Sequence, residues 1–226
     1  MSVLNQIALY QERRDEVPNQ ELAHKLAAAK DKAGIQEIAE NLWNKNKNVQ
    51  SDCLKVLYEI GYIDPDLIAD YVEDFLKLLN SKNNRMVWGA MIALGTIAAK
   101  RPHEIWAHID DVIHVVDQGT LITVVWGIRV LAAVAAADEE YSQKLSPILL
   151  AQLQKCIPRD VPTHADSMLC AVNAINQQEF LAVLTARQPE MSVSQLARLK
   201  RVVRTLQKQQ VETWHFRAGW DQPVGA

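Results

Sequence analysis

Residues 53–79, CLKVLYEIGYIDPDLIADYVEDFLKLL, decide the fold of this chain. The apolar residues of the first half recur at helical spacing: Cys53, Val56, Leu57 and Ile60. Asp64 and Pro65 then supply an N-cap and a first-turn proline, which together are typical of a helix start. The apolar residues that follow have the same helical spacing: Ile68, Val72, Phe75, Leu76 and Leu79. The stretch therefore predicts two consecutive helices joined by a short turn.

The same pattern returns along the chain at a spacing of about 37 residues. The matched positions are all apolar: Leu57, Leu94 and Leu131; Ile60, Ile97 and Val134; Phe75, Val112 and Leu149. One helical pair cannot bury its apolar face alone, whereas a stack of copies can, and each buried large apolar side chain contributes roughly 1.5–3 kcal/mol. The spacing therefore predicts an all-α stack of repeats, each with a helix A followed by a helix B.

This pattern resembles the HEAT and armadillo class of helical repeat proteins. The resemblance implies an α-α superhelix, or solenoid, of about five helical pairs with capping helices. It also implies a scaffold or adaptor that binds another protein, rather than an enzyme, with the B helices on the concave face.

The register of the repeat divides the chain into four parts. We expect an N-terminal capping helix over residues 1–18 and HEAT-like repeats over residues 19–156. A degenerate terminal repeat and a capping helix follow over residues 157–210, where Ser192 and Gln195 form a predicted capping box. Residues 211–226 are predicted to be an irregular tail.

Composition sets further bounds on the kind of protein. The net charge is −3, which does not favour nucleic acid as a partner, because phosphate contacts need a basic surface. The three cysteines form no CxxC motif, so we expect reduced thiols, no cofactor and a cytoplasmic location. The start of the chain has no signal-peptide pattern, and the apolar residues 120–137 are expected to form a buried helix rather than a membrane span.

The core positions also indicate which B-helix residues point away from the core. Acidic residues outnumber basic ones over residues 49–118, so we hypothesise a surface that prefers a basic partner segment. The alternative is an ordinary solvated helix face. The candidate partner-binding residues are Asp70, Glu73, Asp74, Trp106, Asp110, Asp111, His114 and Lys144.

The tryptophans divide into two groups. Trp106 stands where the equivalent repeats have Ala69 and Gln143, so it is either an exposed binding anchor or a side chain packed on the next B helix. Trp88 and Trp126 lie among apolar residues of A helices and are expected to be core.

The basic residues of the C-terminal capping helix form a second candidate patch, either for an acidic partner or as a plain solvated face. They are Arg198, Lys200, Arg201, Arg204 and Lys208. His108, Asp110, Asp111, His114 and Asp117 have no spacing that matches a metal-site signature, so no metal is predicted.

Two other functions remain as alternatives. Trp106 and Asp110 have the Trp-x-x-x-Asp spacing, and Trp126 and Arg129 the Trp-x-x-Arg spacing, which resemble motifs of the HEAT-like alkylpurine DNA glycosylases. That resemblance implies a tryptophan, a carboxylate and an arginine acting together on an alkylated base. Here, however, Asp110 falls on a predicted B helix and Arg129 on an A helix. The other alternative is a structural subunit or assembly factor of a larger complex.

Overall fold

The computed structural model describes residues 2–218, and side chains as far as residue 208. This part of the chain contains α-helices and short 3-10 segments but no strand. The α-helices are α1 (Val17–Ala29), α2 (Lys32–Glu40), α3 (Lys47–Ile63), α4 (Val72–Leu78), α5 (Asn84–Ile97), α6 (Pro102–Trp106), α7 (Ile109–Gln118), α8 (Leu121–Ala135), α9 (Glu139–Lys155), α10 (Val161–Met168), α11 (Gln177–Arg187) and α12 (Val193–Ala218).

These helices form two layers, as the repeat predicts. The A layer consists of α1, α3, α5, α8 and α10, each packed on the next, and α12 closes it against α10. The B layer consists of α2, α4, the α6–α7 pair, α9 and α11. Neighbouring A helices pack on each other much more extensively than neighbouring B helices do.

The core follows the register of the repeat. Leu57, Leu94 and Leu131 lie in the A layer at equivalent positions and are completely buried. The equivalent B-layer residues, such as Phe75 and Val112, are buried against them. The predicted repeat is thus confirmed, and α5 and α8 are apolar on nearly all sides because each is packed between two A helices and a B helix.

Two of the A helices begin at asparagine caps in equivalent positions of the repeat. Asn46 precedes α3, and its side chain accepts a hydrogen bond from the N–H of Asn48 at 2.9 Å. Asn83 precedes α5 and accepts one from the N–H of Arg85 at 3.1 Å. Thr120 holds the equivalent position before α8. The asparagine side chains thus cap the starts of α3 and α5, whereas Thr120 makes no side-chain capping hydrogen bond.

The predicted helix start at Asp64 and Pro65 is a 3-10 turn rather than an α-helix. The Asp64 carboxylate accepts a hydrogen bond from the N–H of Asp66 at 3.2 Å, and the turn Pro65–Leu67 follows. A second 3-10 turn leads into α4, so the B helix of this repeat is divided into three short pieces.

Both ends of the chain differ from the prediction. In place of a capping helix over residues 1–18, two 3-10 segments, Leu4–Gln6 and Ala8–Gln11, precede α1. The predicted irregular tail is also wrong at its start, because α12 continues to Ala218. Residues 219–226 lie outside the described part of the chain.

The apolar segment 120–137 forms α8 inside the stack. Among the described residues, no helix combines the length and the hydropathy that a membrane crossing requires.

Candidate interaction surfaces

The predicted acidic residues lie together on the exposed side of the B layer. Glu73 and Asp74 are on α4, Asp110 and Asp111 on α7, and Asp70 on the 3-10 turn before α4. The side chains of Asp70 and Asp110 are 82% and 85% exposed. The hydrophobic spacing brings these carboxylates to one side because the opposite side of each helix holds core residues.

Basic side chains from the following repeat pair with several of these carboxylates. The Lys144 ammonium lies 2.9 Å from Asp110, and Arg101 pairs with Asp70. The Trp43 ring N–H donates to Asp74 at 3.0 Å. Exposed pairs of this kind contribute about 0–1 kcal/mol each, so they tie neighbouring repeats together only weakly.

Glu73 and Asp111 are the least compensated members of this surface. Among the described basic side chains, only the His108 ring lies within 4.0 Å of them, at 3.9 Å from Glu73 and 3.8 Å from Asp111. His114 is also exposed on α7. No group of three or more His, Cys, Asp or Glu side chains suited to a metal ion occurs in the described part of the chain.

Trp106 packs against the next B helix rather than extending freely into solvent. Its ring stacks on Tyr141 of α9, with ring centroids 3.9 Å apart and an angle of 22° between planes. The Lys144 ammonium lies 5.3 Å from the ring centroid, in cation–π contact. Trp106, Asp110 and Lys144 line an open hollow of about 220 Å³. The half-buried ring is therefore one wall of a shallow site.

The carboxylate and the arginine that resemble the glycosylase motifs, Asp110 and Arg129, lie in different layers. Asp110 pairs with Lys144 in the B layer. Arg129 lies over the Trp126 ring, with its guanidinium carbon 4.6 Å from the ring centroid, and donates to the Ser167 hydroxyl at 3.4 Å in the A layer. The described structure thus does not bring the carboxylate and the arginine of that motif to one reaction centre.

The A layer carries an aromatic cluster that the sequence reasoning missed. We define the aromatic surface as Tyr58, Tyr62, Trp88, Trp126 and Arg129. Ring centroids of Tyr58 and Trp88 are 6.4 Å apart, and those of Tyr62 and Trp126 are 5.6 Å apart. Tyr62 is 48% exposed. Trp88 and Trp126 pack against the core but are only partly buried, so the prediction that they are core residues holds only in part.

A glycine allows the aromatic surface to form across three helices. Trp126 of α8 reaches Tyr62 of α3 by lying over Gly95 of α5. A Cβ atom at Gly95 would lie 2.5 Å from the Trp126 ring, closer than van der Waals contact permits. A small residue in an otherwise apolar helix was the sequence signal for this crossing.

Ion pairs hold the edge of the aromatic surface nearest the N-terminus. The Lys55 ammonium lies 2.6 Å from Glu59 and 2.9 Å from Glu16, and 4.8 Å from the Tyr58 ring centroid. Burial opposes the charge of Lys55, but its hydrogen bonds to Glu59 and Glu16 raise its pKa above the usual value. For Tyr62, burial disfavours the charged phenolate and raises the pKa to about 12, so this hydroxyl stays neutral.

The C-terminal helix α12 carries the predicted basic residues on its exposed side. The capping box at its start forms as expected: the Ser192 N–H donates to the Gln195 side chain at 2.8 Å, and the Gln195 N–H to the Ser192 hydroxyl at 3.4 Å. The helix buries Leu199 and Leu206 against the stack. The residues of the patch are all exposed: Arg198, Lys200, Arg201, Arg204 and Lys208.

Two buried polar residues escaped the sequence analysis. Arg187 is only 8% exposed and donates to the backbone carbonyls of Leu153, Gln154 and Cys156 at the end of α9, at 2.6 to 2.7 Å. His164 is 2% exposed on α10, and neither ring nitrogen has a hydrogen-bond partner among the described residues. Burial lowers the pKa of His164, so the ring is neutral.

Comparison with known proteins supports the fold. No protein-family model matches the sequence, and no curated protein matches it. Solved structures do match. A designed armadillo repeat protein in complex with the peptide (KR)4 superposes with a TM-score of 0.61 at 16% identity, covering 83% of this chain and 86% of that one. An engineered protein gives 0.63 at 15% identity, covering 92% of this chain and 100% of that one.

Kap121p gives a TM-score of 0.62 at 17% identity. The superposition includes 88% of this chain but only 22% of Kap121p. At these identities the similarity defines the architecture alone. The chain has the fold of HEAT and armadillo-type helical repeat proteins.

Proposed function

We propose that this chain is a protein-binding scaffold and that the exposed side of its B layer receives a basic segment of the partner. The observation that carries the proposal is the set of exposed carboxylates on successive B helices, from Asp70 and Glu73 to Asp110 and Asp111. Carboxylates spaced by one repeat can pair with cations spaced along an extended peptide. The complex of a designed armadillo repeat protein with (KR)4 is a precedent on this fold.

Glu73 and Asp111 are the best residues for a test. No described Lys or Arg side chain lies within ion-pair distance of either carboxylate, so neutralising them breaks no close pair with a lysine or an arginine. We expect E73Q/D111N to weaken the binding of fluorescein-labelled (KR)4 about threefold to tenfold in fluorescence anisotropy, since exposed ion pairs contribute about 0.2–1 kcal/mol each. The wild-type affinity should fall as salt is raised.

The matched control is E21Q/E179Q, which removes the same charge from exposed positions on α1 and α11. This control should bind (KR)4 within about twofold of the wild type, because screening by salt leaves little long-range effect of charge. Equal losses in the two double variants, or binding that does not change with salt, would refute a basic-segment site on the B layer.

A further inference from the structure

The aromatic surface is continuous with the C-terminal end of the A layer. Arg129 donates to the Ser167 hydroxyl at 3.4 Å, and this hydroxyl donates to the Thr163 carbonyl at 3.0 Å. Arg198 of α12 donates to the Thr163 hydroxyl at 2.8 Å. These contacts place the side chains of α8, α10 and α12 along one exposed strip, which runs from the aromatic rings to the basic residues of α12.

An open hollow of about 330 Å³ lies at the end of this strip. Its lining includes Thr163, Asp166, Arg198 and Arg201. The two arginines come from the exposed side of α12, one helical turn apart, so both guanidinium groups border the same space. A hollow of this size and composition can hold one or two carboxylate groups.

The cations of the strip differ from those of the B layer. Within the described side chains, Arg129, Arg198 and Arg201 have no carboxylate within ion-pair distance, whereas Lys144 and Arg101 of the B layer are paired. Arg129 instead stacks on Trp126, which leaves the edge of its guanidinium free to donate. The A layer therefore presents unpaired positive charge beside partly exposed aromatic rings.

We propose that this strip is a second docking surface, which binds an acidic peptide segment containing an aromatic or large aliphatic residue. The apolar side chain packs on the Tyr62 and Trp126 rings, and a neighbouring carboxylate pairs with Arg129. Further carboxylates pair with Arg198 and Arg201 in the hollow. Aromatic and arginine side chains are the residues that contribute most to protein interfaces. This surface is separate from the B-layer site and does not depend on it.

The charges around the strip favour a peptide over a nucleic acid. Glu59 borders the aromatic surface, and Asp166 lies in the hollow beside the arginines. A nucleic acid carries a negative charge at every nucleotide and would have to pass both carboxylates. A peptide can place neutral residues opposite Glu59 and Asp166 and carboxylates only opposite the arginines.

The spacing of the helices sets the spacing of the peptide residues. Packed helices lie about 8–10 Å apart, so α8 and α12, with α10 between them, are separated by roughly 20 Å. An extended chain covers about 3.3 Å per residue, which gives about six residues between the two groups of contacts. The probe is therefore the fluorescein-labelled peptide Phe-Glu-Ser-Ser-Ser-Ser-Ser-Glu-Glu, in which about six residue steps separate the first Glu from the second.

We expect this peptide to bind the full chain in fluorescence anisotropy. Changing its Glu residues to Lys, or its Phe to Gly, should weaken binding at least about tenfold. The protein variant R129Q/R198Q/R201Q should weaken it about tenfold or more, whereas K30Q/K32Q/K77Q, which removes the same charge from exposed positions elsewhere, should change it less than about twofold. Because all three arginines are largely exposed, circular dichroism should show a folded variant.

The variant E73Q/D111N distinguishes this surface from the proposed B-layer site. It should leave binding of the acidic peptide unchanged, and R129Q/R198Q/R201Q should leave binding of (KR)4 unchanged or slightly stronger. If the chain binds only one of the two peptides, the acidic peptide or (KR)4, the missing binding identifies which proposal has failed.

Several results would overturn the inference. One is equal binding of the acidic peptide by the triple-arginine variant and by the lysine control. A second is tighter, arginine-dependent binding of an oligothymidine of equal charge, which would make the strip a nucleic-acid surface. A third is a dimer in sedimentation velocity that the arginine variant abolishes, which would make a second copy of the chain the occupant.

Discussion

Substitution of Arg187 tests whether its buried side chain stabilises the C-terminal end of the helical stack. The guanidinium is buried between α11 and the end of α9, where it donates to three backbone carbonyls and pairs with Glu190 at 3.0 Å. The last carbonyls of a helix have no partner within the helix, and a cation there also interacts favourably with the helix dipole. The substitution Arg187→Met keeps much of the side-chain volume and removes all of these donors.

The expected cost follows from the acceptors. The Leu153 carbonyl belongs to a fully buried residue, and the other two belong to residues that water can reach. Leaving one buried carbonyl without a donor costs about 1–3 kcal/mol, and the loss of two partly exposed charge-assisted bonds adds about 1 kcal/mol. We therefore expect a loss of about 2–4 kcal/mol for Arg187→Met. Arg187→Lys keeps the charge but not the planar set of donors, so it should lose about half as much.

Urea denaturation followed by circular dichroism at 222 nm measures the cost, with Arg159→Met as the control on an exposed arginine of the loop before α10. In a repeat protein each unit is stabilised mainly by its neighbours, so the damage should be local. Hydrogen exchange should show α11 and α12 opening before α3 and α5. A loss below about 1 kcal/mol, or uniform opening of the whole stack, would refute this account of Arg187.

Two further predictions test other parts of the A layer. Gly95→Ala should cost about 1–3 kcal/mol and shift tryptophan fluorescence, because the added Cβ would lie 2.5 Å from the Trp126 ring. The control is Gly34→Ala on α2, where the added Cβ would instead lie 2.7 Å from the Leu26 side chain, so it should leave that fluorescence unchanged. His164→Leu should remove part of the acid sensitivity of the fold. Burial lowers the pKa of His164 in the folded state, so below about pH 6.5 only the unfolded chain takes up the proton, and the wild type should lose up to about 1.4 kcal/mol per pH unit there. Identical pH dependence of the free energy of unfolding in both proteins would contradict the assignment of a neutral, buried His164.

The stacking of the helices was predictable because it depends on apolar spacing alone. Leu57, Leu94 and Leu131 occupy equivalent positions, and each is buried in the structure. Hydropathy does not indicate, however, whether an apolar side chain packs against a large or a small residue of the neighbouring helix. Trp126 lies among apolar residues in the sequence, but its ring is only partly buried because α5 presents Gly95 there and the ring lies across the surface of the layer.

The B-layer surface shows a different limit of sequence reasoning. The exposure of Asp70 and Asp110 follows from the register, but their pairing with Arg101 and Lys144 depends on the distance between neighbouring repeats. Residues separated by about one repeat can face each other across adjacent B helices. Spacing therefore predicted which residues are exposed, but not that part of their charge is already compensated within the chain.

The departures from the repeat are where the chemistry of this molecule is concentrated. Trp126 stands at the repeat position that Gly89 holds in α5, and Arg187 stands where α9 has Leu150. A position that only stacks repeats needs the same residue type in every copy, because its neighbours are nearly the same each time. A change of type at such a position requires a different environment. For Arg187 that environment is the end of α9, and for Trp126 it is solvent beside Arg129. The proposed docking surface on the A layer rests on the second of these departures.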